Sequence, residues 1–198
     1  VIALTCGSIA LGALLAACGS TSADSAHGSA PASASAAQTA AQAAAADIAF
    51  AQLMIPHHQQ AVEMADLALS TETSPEVRGL AQQIKAAQDP EIQQMSGWLQ
   101  AWGAPMAMDD EHASHGMGGV SMSGMMSDED MQALGAATGA QFDRLWLTMM
   151  IAHHEGAVAM AEQVKAASSD AEVIALANAV ISGQTAEIET MQQLLAQQ

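Results

Sequence analysis

The sequence predicts an all-α protein: a four-helix bundle made of two repeated helical hairpins joined by a Met/His-rich loop. Three observations lead there. The first is composition. Hydrophobic residues make up 51% of the 198-residue chain but aromatics only 3%, so the apolar content is mostly Ala, Leu, Met, Ile and Val, a mix that favours helix over strand. The second is a duplication. Met54-Ile55-Pro56-His57-His58-Gln59-Gln60-Ala61-Val62-Glu63-Met64-Ala65 returns as Met150-Ile151-Ala152-His153-His154-Glu155-Gly156-Ala157-Val158-Ala159-Met160-Ala161, with eight of twelve positions identical at an offset of 96. The third is that a later stretch repeats at the same offset. Val77, Leu80, Ala81, Gln88, Glu91, Ile92, Met95 and Leu99 recur as Val173, Leu176, Ala177, Gln184, Glu187, Ile188, Met191 and Leu195. Each repeat is thus a helix pair that cannot cover its own apolar face, and two such pairs complete a bundle.

From the N-terminus, residues 1–18 read as a lipoprotein signal. Ile2 to Ala17 is apolar or small, and Leu15-Ala16-Ala17-Cys18-Gly19 looks like a bacterial lipobox, with Cys18 the lipidated residue. The expected protein is extracytoplasmic and lipid-anchored to the bacterial cell membrane, in the periplasm or on the outer cell surface. Residues 19–45, rich in Ala, Ser and Gln, read as a disordered tether. The bundle domain is expected over 46–198, with repeats at 47–102 and 143–198 and a loop at 103–140. Its helices are expected at about 47–69, 75–102, 141–166 and 170–197. The second follows a Ser74-Pro75-Glu76 start signal. Pro56 and Pro90 fall inside helical patterns, and Pro56 should remove the bond to the Gln52 carbonyl and kink the first helix. Within the loop, Ser127-Asp128-Glu129-Asp130 should cap a short helix.

The net charge of -17, with four Lys and Arg, excludes a nucleic-acid binder. It suits attraction of cations. On the first helix Met54, His57, His58, Ala61, Met64 and Ala65 share one stripe facing the bundle interior, and on the second Gln88, Glu91, Ile92, Met95 and Leu99 do the same. Two imidazoles and two thioethers turned into a core with an inward glutamate are costly unless partnered. The candidate metal ligands are therefore His57, His58, Met54, Met64, Glu91 and Met95, repeated as His153, His154, Met150, Met160, Glu187 and Met191. Glu91 has a second reading, as a hydrogen-bond partner that neutralises a histidine. The loop supplies an accessory set, His112, His115, Met117, Met122, Met125 and Met126, in a segment too polar for these methionines to be core filler. Thioether suits Cu(I) and not Mg²⁺ or Ca²⁺, so copper is the expected metal, Cu(I) above all, with zinc the second choice at the helical His/Glu sites. A di-iron oxidase needs Glu three residues before a helical histidine. Those positions hold Met54, Ile55, Met150 and Ile151.

The same residues resemble the family known as domain of unknown function 305. The resemblance rests on Met54 to Ala61 with Met64-Ala65, on Met125-Met126-Ser127-Asp128, on Met149 to Ala157 with Met160-Ala161, and on the runs Gln88 to Met95 and Gln184 to Met191. It covers the chain from about residue 47 onward. It implies a ferritin-like bundle and an extracytoplasmic copper-binding protein linked to copper tolerance, with Met and His as ligands. The function expected is sequestration of copper, or its delivery to a copper carrier protein. The alternatives are a structural or partner-binding envelope bundle without tight metal binding and, below that, a metal-dependent oxidase.

Overall fold

The computed structural model describes residues 31–107 and 123–197, with side chains left aside for 31–40 and 43. The expected signal with Cys18, residues 19–30 of the expected tether, and His112, His115, Met117 and Met122 of the loop lie outside the described residues. Five helices follow one another: α1 (Pro31–Ser70), α2 (Pro75–Trp102), α3 (Asp128–Ala136), α4 (Gly139–Ala167) and α5 (Ala171–Leu195). Four of them are the expected bundle helices, and α3 is the short helix expected inside the loop. None of the described helices is long and apolar enough to cross a membrane.

Local chemistry sets the helix ends. Ser74 caps α2, its hydroxyl accepting from the Val77 N–H at 3.3 Å with Pro75 at the first helical position. Gly103, at φ 66°, closes α2 in the left-handed turn that glycine adopts without strain. Ser127 and Asp130 form a reciprocal capping box on α3, and Asp170 accepts from the Glu172 and Val173 N–H groups at the start of α5. One boundary differs from expectation. α1 begins at Pro31, well before residue 47, so part of the expected tether is helical. Its composition explains why: between Ala32 and Ala46 the chain is dominated by alanine, the best helix former, and no residue interrupts it. α1 and α2 run through Pro56 and Pro90, as their expected ranges had them. Packing against the rest of the bundle outweighs the loss of one bond at each proline.

α1 pairs with α2 and α4 with α5, and the hairpins meet mainly along α1 and α4. Two apolar clusters fill the interior. One gathers Ala61, Met64, Ala65, Val77, Leu80, Ala81, Trp146, Met150 and Met191. The other gathers Met54, Met95, Ala157, Met160, Ala161, Val173, Leu176 and Ala177. Apart from Trp146, every residue named in one cluster has its repeat counterpart in the other. The hairpins are therefore related by an approximate twofold, with α1 antiparallel to α4. Between the clusters each helix contributes buried polar residues: His57 and His58, Gln88, His153 and His154, and Gln184. A polar layer thus crosses the middle of the bundle.

Candidate metal centre

The four imidazoles of that layer are buried, none more than 1% exposed. His57 and His153 face each other at the centre, ring centroids 3.8 Å apart and tilted by 42°. His58 and His154 stand outside them in matching roles. The His58 Nε2–H donates to Glu91 Oε2 at 2.7 Å, and the His154 Nε2–H to Glu187 Oε2 at 2.8 Å. A carboxylate only accepts, so each bond places the ring proton on Nε2 and leaves the Nδ1 lone pair uncommitted. The His57 Nε2–H points to the Ser123 backbone carbonyl, 3.2 Å away. His153 has no hydrogen-bond partner on either nitrogen among the described residues, and the Nδ1 atoms of His57, His58 and His154 are likewise buried and unpartnered.

An unpartnered buried polar atom costs about 1–3 kcal/mol, so a further partner in this layer, a metal ion or an ordered water, would be stabilising. The amide of Gln88 and the Oε1 of Gln184 add to the unsatisfied set. Burial first, and the neighbouring rings second, push the pKa of His57 down to about 4 and that of His153 to about 2. Both rings are therefore neutral near pH 7, the form in which imidazole binds a metal.

Met54 and Met150 lie one helical turn before the histidine pairs, at the i, i+3 and i, i+4 spacings that bring side chains together. Both are fully buried, as are Met64, Met95 and Met191, and Met160 is 3% exposed. The bundle methionines thus flank the polar layer on both sides. Glu91 and Glu187 both sit on histidines, the role foreseen for Glu91 as its second reading. Among the described residues, no three His, Cys, Asp or Glu side chains form a group able to hold a metal ion.

The loop's end reaches this centre by contacts that helical periodicity did not reveal. Gln60 grips the Met126 backbone from both sides, accepting from its N–H at 2.7 Å and donating to its carbonyl at 2.9 Å. Gly124, at φ 86°, packs so closely on α4 that a Cβ there would lie 2.4 Å from the Ala152 carbonyl oxygen. At Gly156 a Cβ would lie 1.7 Å from the Ser123 carbonyl oxygen. Met125 and Met126 are half-buried, and Met126 packs against the first cluster. One signal for this docking was present in the sequence: Gln60 and Gly156 occupy equivalent positions in the repeats and differ completely.

Comparison with known proteins agrees with the architecture. Residues 47–195 match the family described as Domain of unknown function (DUF305). A DUF305 protein from Streptomyces coelicolor is 37% identical, with 77% of this chain and 93% of that chain covered and a TM-score of 0.71. A DUF305 fragment from Deinococcus radiodurans is 34% identical, covering 77% and 97%, with a TM-score of 0.66. CopM in its Cu(I)-bound form is 33% identical, covering 76% and 96%, with a TM-score of 0.63. CopM has also been solved in Cu(II)-bound, Ag-bound and apo forms. No curated protein matches the chain. The chain belongs to the DUF305 family.

Proposed function

We propose that this DUF305 protein binds copper, Cu(I) foremost, and acts in the cell envelope as a lipid-anchored buffer or carrier rather than as an enzyme. The observation that carries the reading is His153. It is a buried neutral imidazole with neither nitrogen partnered among the described residues, its ring centroid 3.8 Å from that of a second imidazole and one turn from a buried thioether. His57, His58, His153 and His154, no more than two of them to one ion, would supply nitrogen, and Met54, Met150, Met64, Met160, Met95 and Met191 sulfur. Glu91 and Glu187 would orient His58 and His154, as carboxylates commonly do for metal-bound imidazole. Met and His donors with no free thiol in the lipidated mature chain suit Cu(I) and Ag(I) better than harder ions, and CopM, of the same fold, is known in copper- and silver-bound forms. The loop residues His112, His115, Met117, Met122, Met125 and Met126 would collect the ion, and the acidic surface would draw it in. Lipidation at Cys18 would hold the protein at the membrane, where it would sequester copper or hand it to a carrier.

A structural layer is the second reading, favoured by the two His–Glu pairs, which already satisfy one nitrogen of each outer ring. Thermal unfolding separates the two. A ligand bound only by the folded state raises the melting temperature, and does so with the logarithm of its free concentration once that exceeds Kd. Anaerobic Cu(I) and Ag(I) should each raise the midpoint, and Zn²⁺ should do so far less. A midpoint unmoved by either soft ion would leave the structural reading.

A further inference from the structure

The geometry points to Gln60 as a positioning residue, one that holds the methionine-bearing end of the loop over the central histidine pair so that loop and bundle act as one copper site. This rests on the copper reading above. Three contacts place the loop end on the α1–α4 seam. Gln60 uses its whole amide on one residue, pairing with both the N–H and the carbonyl of Met126. The Ser123 carbonyl accepts from the His57 Nε2–H. Gly124 and Gly156 allow backbone to lie on helix where a methyl group on either would collide. Met125 is bracketed by these anchors, with Ser123 and Gly124 on one side of it and Met126 on the other. Its register relative to His57 and His153 is therefore fixed to within a residue.

The repeat indicates what this arrangement is for. The duplicated positions build a symmetric polar layer, and a structure-only bundle would have no need to break that symmetry at residue 60. The second hairpin has Gly156 there, and it makes the complementary contribution. One repeat supplies the clamp and the other the clearance, so a single loop can seat at the pseudo-twofold centre. Without the clamp, Met125 and Met126 would have to be ordered by the metal itself, and the entropy of ordering them would be subtracted from affinity. Partners that orient metal ligands typically change affinity by roughly 10–100-fold when removed.

The test uses the full chain with Cu(I) under anaerobic conditions, read by competition with a colorimetric Cu(I) chelator and by the sulfur count around Cu(I) in X-ray absorption. Gln60→Ala should keep its helical circular dichroism, bind Cu(I) about tenfold or more weakly, and lose at least one sulfur neighbour. Gln60→Glu, which keeps the acceptor for the Met126 N–H but lacks the donor, should fall between. In a Met125→Leu, Met126→Leu background, Gln60→Ala should change the affinity no further, because its effect runs through those thioethers. Wild-type affinity and sulfur count in both Gln60 variants would overturn the assignment while leaving the copper reading intact. A weakening that persists undiminished in the Met125→Leu, Met126→Leu background would overturn it too. Failure of the wild type to take up Cu(I) would remove both readings together.

Discussion

The two hairpins are alike in their outer histidines and unlike at their centre. His58–Glu91 at 2.7 Å and His154–Glu187 at 2.8 Å are the same device made twice. His57, by contrast, has the Ser123 carbonyl on Nε2, whereas among the described residues His153 has no partner on either nitrogen. Where the first repeat carries Gln60 the second carries Gly156, and the loop seats across both. Duplicated residues thus build the bundle and its polar layer, while the substitutions between repeats decide where the loop docks and which imidazole is left open. Symmetry makes the scaffold, and its local loss makes the site.

Acid should give the largest effect. The folded pKa values of His57 and His153, about 4 and about 2, lie below the ordinary 6.5. Between those values the unfolded chain binds more protons than the folded one, so the stabilisation is fully present above pH 6.5 and is lost as the pH falls through the window. At ~1.4 kcal/mol per pH unit for each group, the apo protein should lose about 4 kcal/mol between pH 7 and pH 5, measured by urea unfolding. His57→Gln and His153→Gln should each roughly halve that slope. A flat profile would mean that the layer is not a buried neutral one.

Next comes a swap of the asymmetric pair, Gln60→Gly with Gly156→Gln. Interchangeable repeats would tolerate it. Here a side chain would be forced into space held by the Ser123 carbonyl and two hydrogen bonds would be lost, for a cost of about 3 kcal/mol. Hydrogen exchange at the Met126 amide, protected in the wild type, should become fast. Glu91→Ala and Glu187→Ala should then cost about 1–3 kcal/mol each, because each leaves a buried imidazole N–H unpaired. The two values should agree, since the pairs are equivalent, and a large difference in chemical denaturation would break the symmetry argument. The smallest stability effect belongs to Met54→Leu and Met150→Leu. Near-equal volume should keep each under about 1.5 kcal/mol, while Cu(I) affinity should drop in both.

The sequence carried the fold where periodicity and duplication do the encoding. The 96-residue offset and the stripe through Met54, His57, His58 and Met64 located the polar layer, and the stripe through Gln88, Glu91 and Met95 placed a carboxylate within reach of it. Helical spacing reports which face a residue occupies. It does not report what a loop does after leaving the helix. The Ser123 carbonyl on His57 and the Gly124–Gly156 approach are tertiary contacts made by backbone atoms, and no side-chain pattern announces them. Nor did the loss of pattern before Asp47 mean loss of helix, since an alanine-rich stretch is helical by propensity alone.

An anaerobic Cu(I) competition titration of the protein, beside a variant with His57, His58, His153 and His154 all changed to Ala, tests the central claim most directly. Sub-nanomolar binding, on the order of 12 kcal/mol or more, should be present in the wild type and lost in the variant, with the helical circular dichroism retained. Equal affinity in a folded variant would contradict the claim and move the site away from the buried histidines.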